Sequence, residues 1–260
     1  MNVASITLVS NGEHSHHLDA GQYTLEGIQK YEKIFGRNFV STGGLDSTRE
    51  IVKMLHLKPG MKVLDVGSGI GGSAFHMAQA YEVQVHGLDL SHNMLAIAGE
   101  RLKELQLEAQ VCFEHGDILE TDHVAEFDVV YSRDAFLHIA DKARLFQILL
   151  RVLKPTGLLF ITDYCWGEGR HSEEFLRYTA QREYDLHTPA DYGRLLKEAG
   201  FVKVQTFDKT ALFGEYLQLE LARLPDDGTI PEIRRSWHEK LARNQRGEQG
   251  WGWFMGRKEG

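Results

Sequence analysis

The chain has 260 residues, with 29 Lys+Arg against 37 Asp+Glu and a formal charge of −8. That length suits one α/β domain with elaborations, and 42% hydrophobic and 25% charged content with only 5 Pro excludes a disordered or collagen-like chain. The acidic balance argues against a nucleic-acid partner, no stretch approaches the roughly 18 uninterrupted apolar residues of a membrane span, and the first residues lack the blocks of a secretory signal, so a cytoplasmic protein is expected; the acidic surface and the lack of a long coiled coil point to a monomer.

Residues 1–20, with His14, His16 and His17, read as a flexible tail. Residues 21–58 read as helices. Thr24 can cap the first, which places Ile28, Tyr31, Ile34 and Phe35 on one face; the turn STGG at 41–44 leads to a second helix at 46–55. From residue 59 strand and helix alternate. Strands are predicted at 62–67, 83–90, 110–115, 127–132 and 157–163, with helices at 72–81, 91–105 and 141–153. Five apolar strands with helices between them make a parallel sheet covered on both faces. A helix at 172–184, another from Pro189 to Gly200 and strands at 202–207 and 215–221 bring the sheet to seven. The aromatic run WGWF at 251–254 reads as packing, and Lys142, Arg144 and Arg151 as a solvated helix face. Cys112 and Cys165 lie singly in apolar runs and read as buried thiols; with no CxxC and no metal-spaced Cys/His set, no metal is expected.

The chemistry starts at GSGIGG, residues 67–72, where glycines let the backbone turn sharply between strand and helix and approach a ligand. Asp65 stands two residues before Gly67, with Gly69 following. A carboxylate there disfavours a pyrophosphate and suits the cationic amino-acid portion of S-adenosylmethionine. Asp89 ends the second strand, where an acid accepts from ribose hydroxyls, and Asp117 follows the third, where it can receive an adenine amino group. Each acid alone could merely cap a helix, but three at successive strand ends favour S-adenosylmethionine over a nicotinamide dinucleotide.

These motifs resemble the class I S-adenosylmethionine-dependent methyltransferases, with a Rossmann-like, mostly parallel seven-stranded sheet. QYTLEG (22–27), YEKIFG (31–36), STGG (41–44), YSRDAFLHI (131–139), ITDYC (161–165) and QREY (181–184) look like one branch, the phosphoethanolamine N-methyltransferases, from about Gln22 to the WGWF end. The resemblance implies stepwise methylation of phosphoethanolamine towards phosphocholine, with S-adenosylhomocysteine as co-product. Tyr23 and His138 would be the paired catalytic residues. Gln22, Tyr31, Asp134, Tyr164, Tyr178, Arg182, Tyr184 and Lys240 would line the substrate pocket. The cofactor set comprises Asp65, Gly67, Gly69, Asp89 and Asp117 together with Val40, Ser41, Leu90, Ile118, Ser132 and Arg133. The organisation expected is a tail, N-terminal lid helices at 21–58, and a core at 59–260 with a substrate-capping insertion at about 165–200.

The chemistry wants such residues. An amine with a pKa of about 10 is protonated at neutral pH and must lose a proton to attack. A histidine with an ordinary pKa near 6.5 suits that task, and an acid at Asp134 can hold an ammonium. Arg182, four residues after Tyr178, offers a phosphate fork, Lys240 a point charge, and tyrosine faces can hold a methylated cation. Two other readings stand beside this one: a methyltransferase for another small metabolite, and a non-catalytic S-adenosylmethionine-binding module.

Overall fold

The computed structural model describes residues 19–21, 23–224 and 230–260. The His14/His16/His17 tract and Gln22 lie outside the described residues. Asp19, placed in the flexible tail from sequence, instead accepts from Ser91 Oγ and from the His92 and Asn93 amides at the start of a helix.

The helices α1 (Leu25–Phe35) and α2 (Gly44–Leu55) precede the sheet. Thr24 caps α1 by accepting from the Gly27 amide at 3.1 Å. Then come β1 (Lys62–Val66), α3 (Gly72–Tyr81), β2 (Gln84–Asp89), α4 (His92–Leu105), β3 (Val111–His115) and β4 (Phe127–Arg133). α5 (Lys142–Val152) leads directly into β5 (Leu153–Trp166), and α6 (Glu173–Gln181), α7 (Pro189–Glu198), β6 (Val202–Asp208), α8 (Thr210–Arg223), α9 (Pro231–Gln245) and β7 (Gln249–Arg257) complete the order. Ser91, Asp141, Ser172 and Thr188 each accept an amide of the helix they precede, and Pro189 takes the first helical position, where its missing N–H costs nothing.

The strands run β3-β2-β1-β4-β5-β7-β6, with β7 antiparallel to both neighbours. The order reverses between β1 and β4, which opens a crevice at the carboxyl ends of those strands. The core lies on both sheet faces, one packed with Leu64, Val130, Leu159 and Phe146, the other with Val63, Val129, Phe160 and Trp253.

The seventh strand is not where the sequence placed it. Residues 215–221, expected as a strand, are helical within α8, and the WGWF run is the central part of β7. In the 165–200 segment, α7 packs along β6 and β7 as a sheet-covering helix. Cys165 is buried as expected, but Cys112 is exposed on the edge strand β3. Among the described residues no helix is long and apolar enough to cross a membrane.

Candidate active site

A cavity of about 900 Å³ occupies the crevice. Its wall includes Tyr23, Val40, Ser41, Asp65, Gly67, Gly69, Asp89, Leu90, Asp117, Ile118, Arg133, Asp134, His138 and Arg182. Every cofactor residue named from sequence lines it except Ser132, which is buried and donates to the Val66 carbonyl at 2.8 Å.

The glycine loop has a geometric reason for its composition. Gly67 has φ +72° and a Cβ there would stand 2.5 Å from that of Ala135; Gly69 has φ +55° and a Cβ would meet Val40 at 3.1 Å. Asp89 ties the loop down, accepting from the Gly69 amide at 2.7 Å and from the Ser91 amide at 2.8 Å. Asp117 accepts from the Leu119 amide at 2.9 Å, so it does act as a cap, while also lining the cavity.

Asp65 is 2% exposed and its Oδ2 has no hydrogen-bond partner among the described residues. Burial pushes its carboxyl up to about 7, against a lowering by Arg133. An orphaned buried carboxylate oxygen in a cavity wall needs a donor from a ligand. The residues present therefore fit the expected S-adenosylmethionine: an ammonium at Asp65, ribose hydroxyls at Asp89, and close backbone approach at the glycines. Arg133 is committed elsewhere. Its guanidinium donates to the carbonyls of Thr42 (2.5 Å) and Gly44 (3.3 Å) and to Ser47 Oγ (2.7 Å) and Thr48 Oγ1 (2.6 Å), tying the turn before α2 to the end of β4.

At the other end of the cavity, Asp134 sits in the left-handed region, φ +50°. Its Oδ1 accepts from Thr162 Oγ1 and Trp251 Nε1, both at 2.8 Å, while its buried Oδ2 has no partner among the described residues. The WGWF run therefore orients an acid as well as packing. His138 follows in a 3-10 turn, Phe136–His138, with its ring 5.0 Å from that of Tyr184 in a T-shaped contact. Burial, Arg182 and Lys142 push the imidazole down to about 4, so it is neutral at physiological pH. The Tyr23 hydroxyl is raised well above its ordinary value, chiefly by burial, and keeps its proton. Asn93 donates to the Tyr23 carbonyl at 2.9 Å and so fastens the N-terminal segment to α4.

Tyr31, Tyr164, Tyr178, Tyr184 and Lys240 do not line this cavity. They form a packed cluster reached through Arg182 and His138. The Arg182 guanidinium lies 4.9 Å from the Tyr178 ring and 6.0 Å from that of Tyr184. Lys240 Nζ lies 4.4 Å from the Trp237 ring and 5.1 Å from that of Tyr164, whose hydroxyl it reaches at 3.5 Å. Burial pushes the Lys240 ammonium down, and the neighbouring carboxylate of Glu220 already accepts from the Gly43 amide and Trp237 Nε1. A buried ammonium among aromatic faces favours an incoming anion. Tyr31 joins the cluster through Trp237, with ring centres 6.3 Å apart.

Sequence reasoning missed Lys142. Expected on a solvated face, it is 3% exposed and its ammonium binds the carbonyls of Phe136 (2.9 Å), Ile139 (2.6 Å) and Asp185 (3.3 Å) and the Asp185 carboxylate (2.9 Å). It clamps the His138 turn to the segment just after Tyr184. Its place at the first turn of an amphipathic helix carries no sequence signal for this. Arg144 and Arg151 are exposed, as expected, and reach the Leu119 and Thr121 carbonyls. Replacing Lys142 with Met is expected to lower the melting temperature by several degrees, because it leaves the Asp185 carboxylate and three carbonyls without their shared donor. Lys142→Arg should recover part of the loss; an unchanged melting temperature would show that the clamp does not hold the turn.

A methyltransferase-domain family model matches residues 57–209. The chain is 46% identical to a phosphoethanolamine N-methyltransferase of Triticum aestivum over 93% of its own length and 50% of that protein's. It is 35% identical to the phosphoethanolamine N-methyltransferase of Plasmodium falciparum over 97% of this chain and all of that one. Thus it spans about half the length of the plant relatives and the whole of the Plasmodium protein. The fold superposes with a TM-score of 0.91 on phosphoethanolamine N-methyltransferase 2 of Haemonchus contortus, solved with phosphomonomethylethanolamine and S-adenosylhomocysteine, at 35% identity over 97% of this chain and 61% of that one. With the sheet order and the cavity described above, these likenesses establish that the chain belongs to the phosphoethanolamine N-methyltransferase family and carries its class I methyltransferase fold.

Proposed function

We propose that this protein transfers methyl groups from S-adenosylmethionine to the nitrogen of phosphoethanolamine and its methylated forms, towards phosphocholine. The observation that carries the proposal is the composition of one cavity wall: orphaned carboxylate oxygens on Asp65 and Asp134, a neutral His138, and Arg182 leading into the tyrosine and Lys240 cluster. The relatives' names and the phosphobase in the Haemonchus complex support the same substrate class. The reading includes Tyr23 and His138 as catalytic residues and a monomeric, cytoplasmic enzyme. The net charge of −8 supports a small-molecule rather than a nucleic-acid substrate.

Bound S-adenosylmethionine supplies an electrophilic methyl on a sulfonium centre. Asp134 holds the substrate ammonium near the cavity, and neutral His138 accepts the proton that the nitrogen must lose before its lone pair can attack. Tyr23, protonated and fastened to α4, closes the wall and excludes water. Arg182, which leads from the cavity into the cluster of Lys240 and the tyrosine hydroxyls, holds the phosphate with them.

The test is turnover of S-adenosylmethionine on phosphoethanolamine, its mono- and dimethyl derivatives, and ethanolamine. Activity confined to the phosphorylated amines is expected; equal turnover of ethanolamine would end the phosphate assignment, and silence on all four would end the substrate class. Arg182→Ala should raise KM for the phosphobase about 10- to 100-fold, the worth of a charge-assisted hydrogen bond, with cofactor affinity unchanged. Equal losses on phosphorylated and phosphate-free amines would contradict that role.

A further inference from the structure

Outside the cavity, β2, β3 and the loop entering β4 bring together His86, Glu114 and His123, whose ligating atoms all lie within 4.8 Å of one another. No spacing in the sequence marks this set, because its members stand on two strands and a loop of the sheet edge. His86 Nε2 is 2.8 Å from Glu114 Oε2. His123 Nδ1 is 2.8 Å from Glu126 Oε2, and the other Glu126 oxygen is 3.1 Å from Lys62 Nζ. The His86 and His123 rings stand edge to face 5.2 Å apart, and both pack against the buried Phe127.

We propose that His86, Glu114 and His123 form a binding site for a divalent cation of the zinc class. Two imidazoles and a carboxylate are a borderline-soft donor set that suits zinc and its transition-metal neighbours and disfavours magnesium, which prefers all-oxygen octahedra. The spacing is close to what the ion needs. Ligands about 2.0–2.1 Å from a tetrahedral zinc stand roughly 3.3 Å apart, and the observed 2.8 Å contact and 4.8 Å limit bracket that edge. The orientation is prepared as well: Glu126 occupies Nδ1 of His123 and leaves Nε2 for the ion. A carboxylate on the far nitrogen is the usual outer partner of a metal-bound histidine. The fourth position faces solvent, since Glu114 is exposed and both histidines are only half-buried.

Metal at this place would join β2, β3 and the loop from the Ile118 turn to β4. It would therefore brace the segment that carries Asp117 and Ile118 at the cavity rim.

The test is equilibrium dialysis of the EDTA-treated full chain against Zn²⁺, with the visible spectrum of the Co²⁺ form as a second readout. One ion per chain is expected, with no competition from a large excess of Mg²⁺. His123→Ala and Glu114→Gln should each weaken it by 30-fold or more and abolish the Co²⁺ spectrum, and Glu126→Gln should weaken it about tenfold as an outer partner does. A His14/His16/His17→Ala triple variant should leave affinity unchanged. Absence of stoichiometric binding, indifference to His123→Ala and Glu114→Gln, or loss of binding in the triple variant would each overturn the proposal. The metal-free melting temperature of each variant separates lost ligation from lost fold.

Discussion

Replacing His138 with alanine is expected to lower kcat on phosphoethanolamine by about 10²–10⁴-fold, the usual contribution of a positioned proton acceptor. Affinity for S-adenosylhomocysteine should stay within about twofold, because the 3-10 turn is held from the backbone, by the Lys142 clamp and by the Asp185 amide on the Leu137 carbonyl at 2.7 Å. His138→Asn should behave like alanine: it keeps polarity and loses basicity. The burial and neighbouring cations that push His138 down to about 4 set a second expectation. In the free enzyme this imidazole stays neutral down to about that pH, so kcat/KM for the amine should show no acid limb at the ordinary histidine value near 6.5. Turnover of the alanine variant within threefold of the parent would remove His138 from the proton path.

Asp65→Asn should weaken cofactor binding about 10- to 100-fold and at the same time stabilise the unliganded protein at pH 8. Both follow from one cause. The folded-state carboxyl is raised to about 7 from an ordinary 3.8, so the folded protein holds a proton there that the unfolded chain has released. Stability is therefore lost as pH rises from about 4 to about 7, up to an upper bound of about 4 kcal/mol above that range. Asparagine removes that cost, so the variant's gain should be largest at pH 8 and vanish near pH 4. Binding runs the opposite way. In the proposed site the cofactor's ammonium pairs with the Asp65 carboxylate, so affinity of the parent should fall as pH drops below about 7, and the variant should lack that dependence. Calorimetric melts and S-adenosylhomocysteine titrations at pH 5, 7 and 8 read both arms. A parent affinity independent of pH, or a variant no more stable at pH 8, would show that Asp65 does not carry the buried charge. A stability gain on losing the residue is what a site shaped for its ligand costs the empty protein.

The sequence by itself determined the five parallel strands and the crevice at their carboxyl ends, whose wall holds the residues read from sequence as cofactor-binding except Ser132. Apolar runs of strand length ending in Asp65–Gly67 and Asp89, with capped helices between, have one economical arrangement. It also carried the family, through motifs spread along nearly the whole chain. The edge of the sheet was different. Residues 217–221 alternate Leu with Gln and Glu like a half-buried strand. In the folded protein Leu219 is 50% exposed and Glu220 is 2% exposed, the reverse of what alternation implies. The reason is tertiary: the Gly43 amide and Trp237 Nε1 converge on the Glu220 carboxylate and make its burial tolerable in a helix. The WGWF run reads only as packing, with no strand assigned to it, yet it lies within β7 between β5 and β6, where a Cβ at Gly252 would stand 2.2 Å from the Phe254 ring. Lys142 looked like surface because only the folded chain brings the Phe136, Ile139 and Asp185 carbonyls around it. The His86, Glu114 and His123 set was invisible for the same reason. Short-range pattern settles which face of an element is apolar, but whether a charged side chain is buried depends on partners distant in sequence, and only the tertiary structure supplies them.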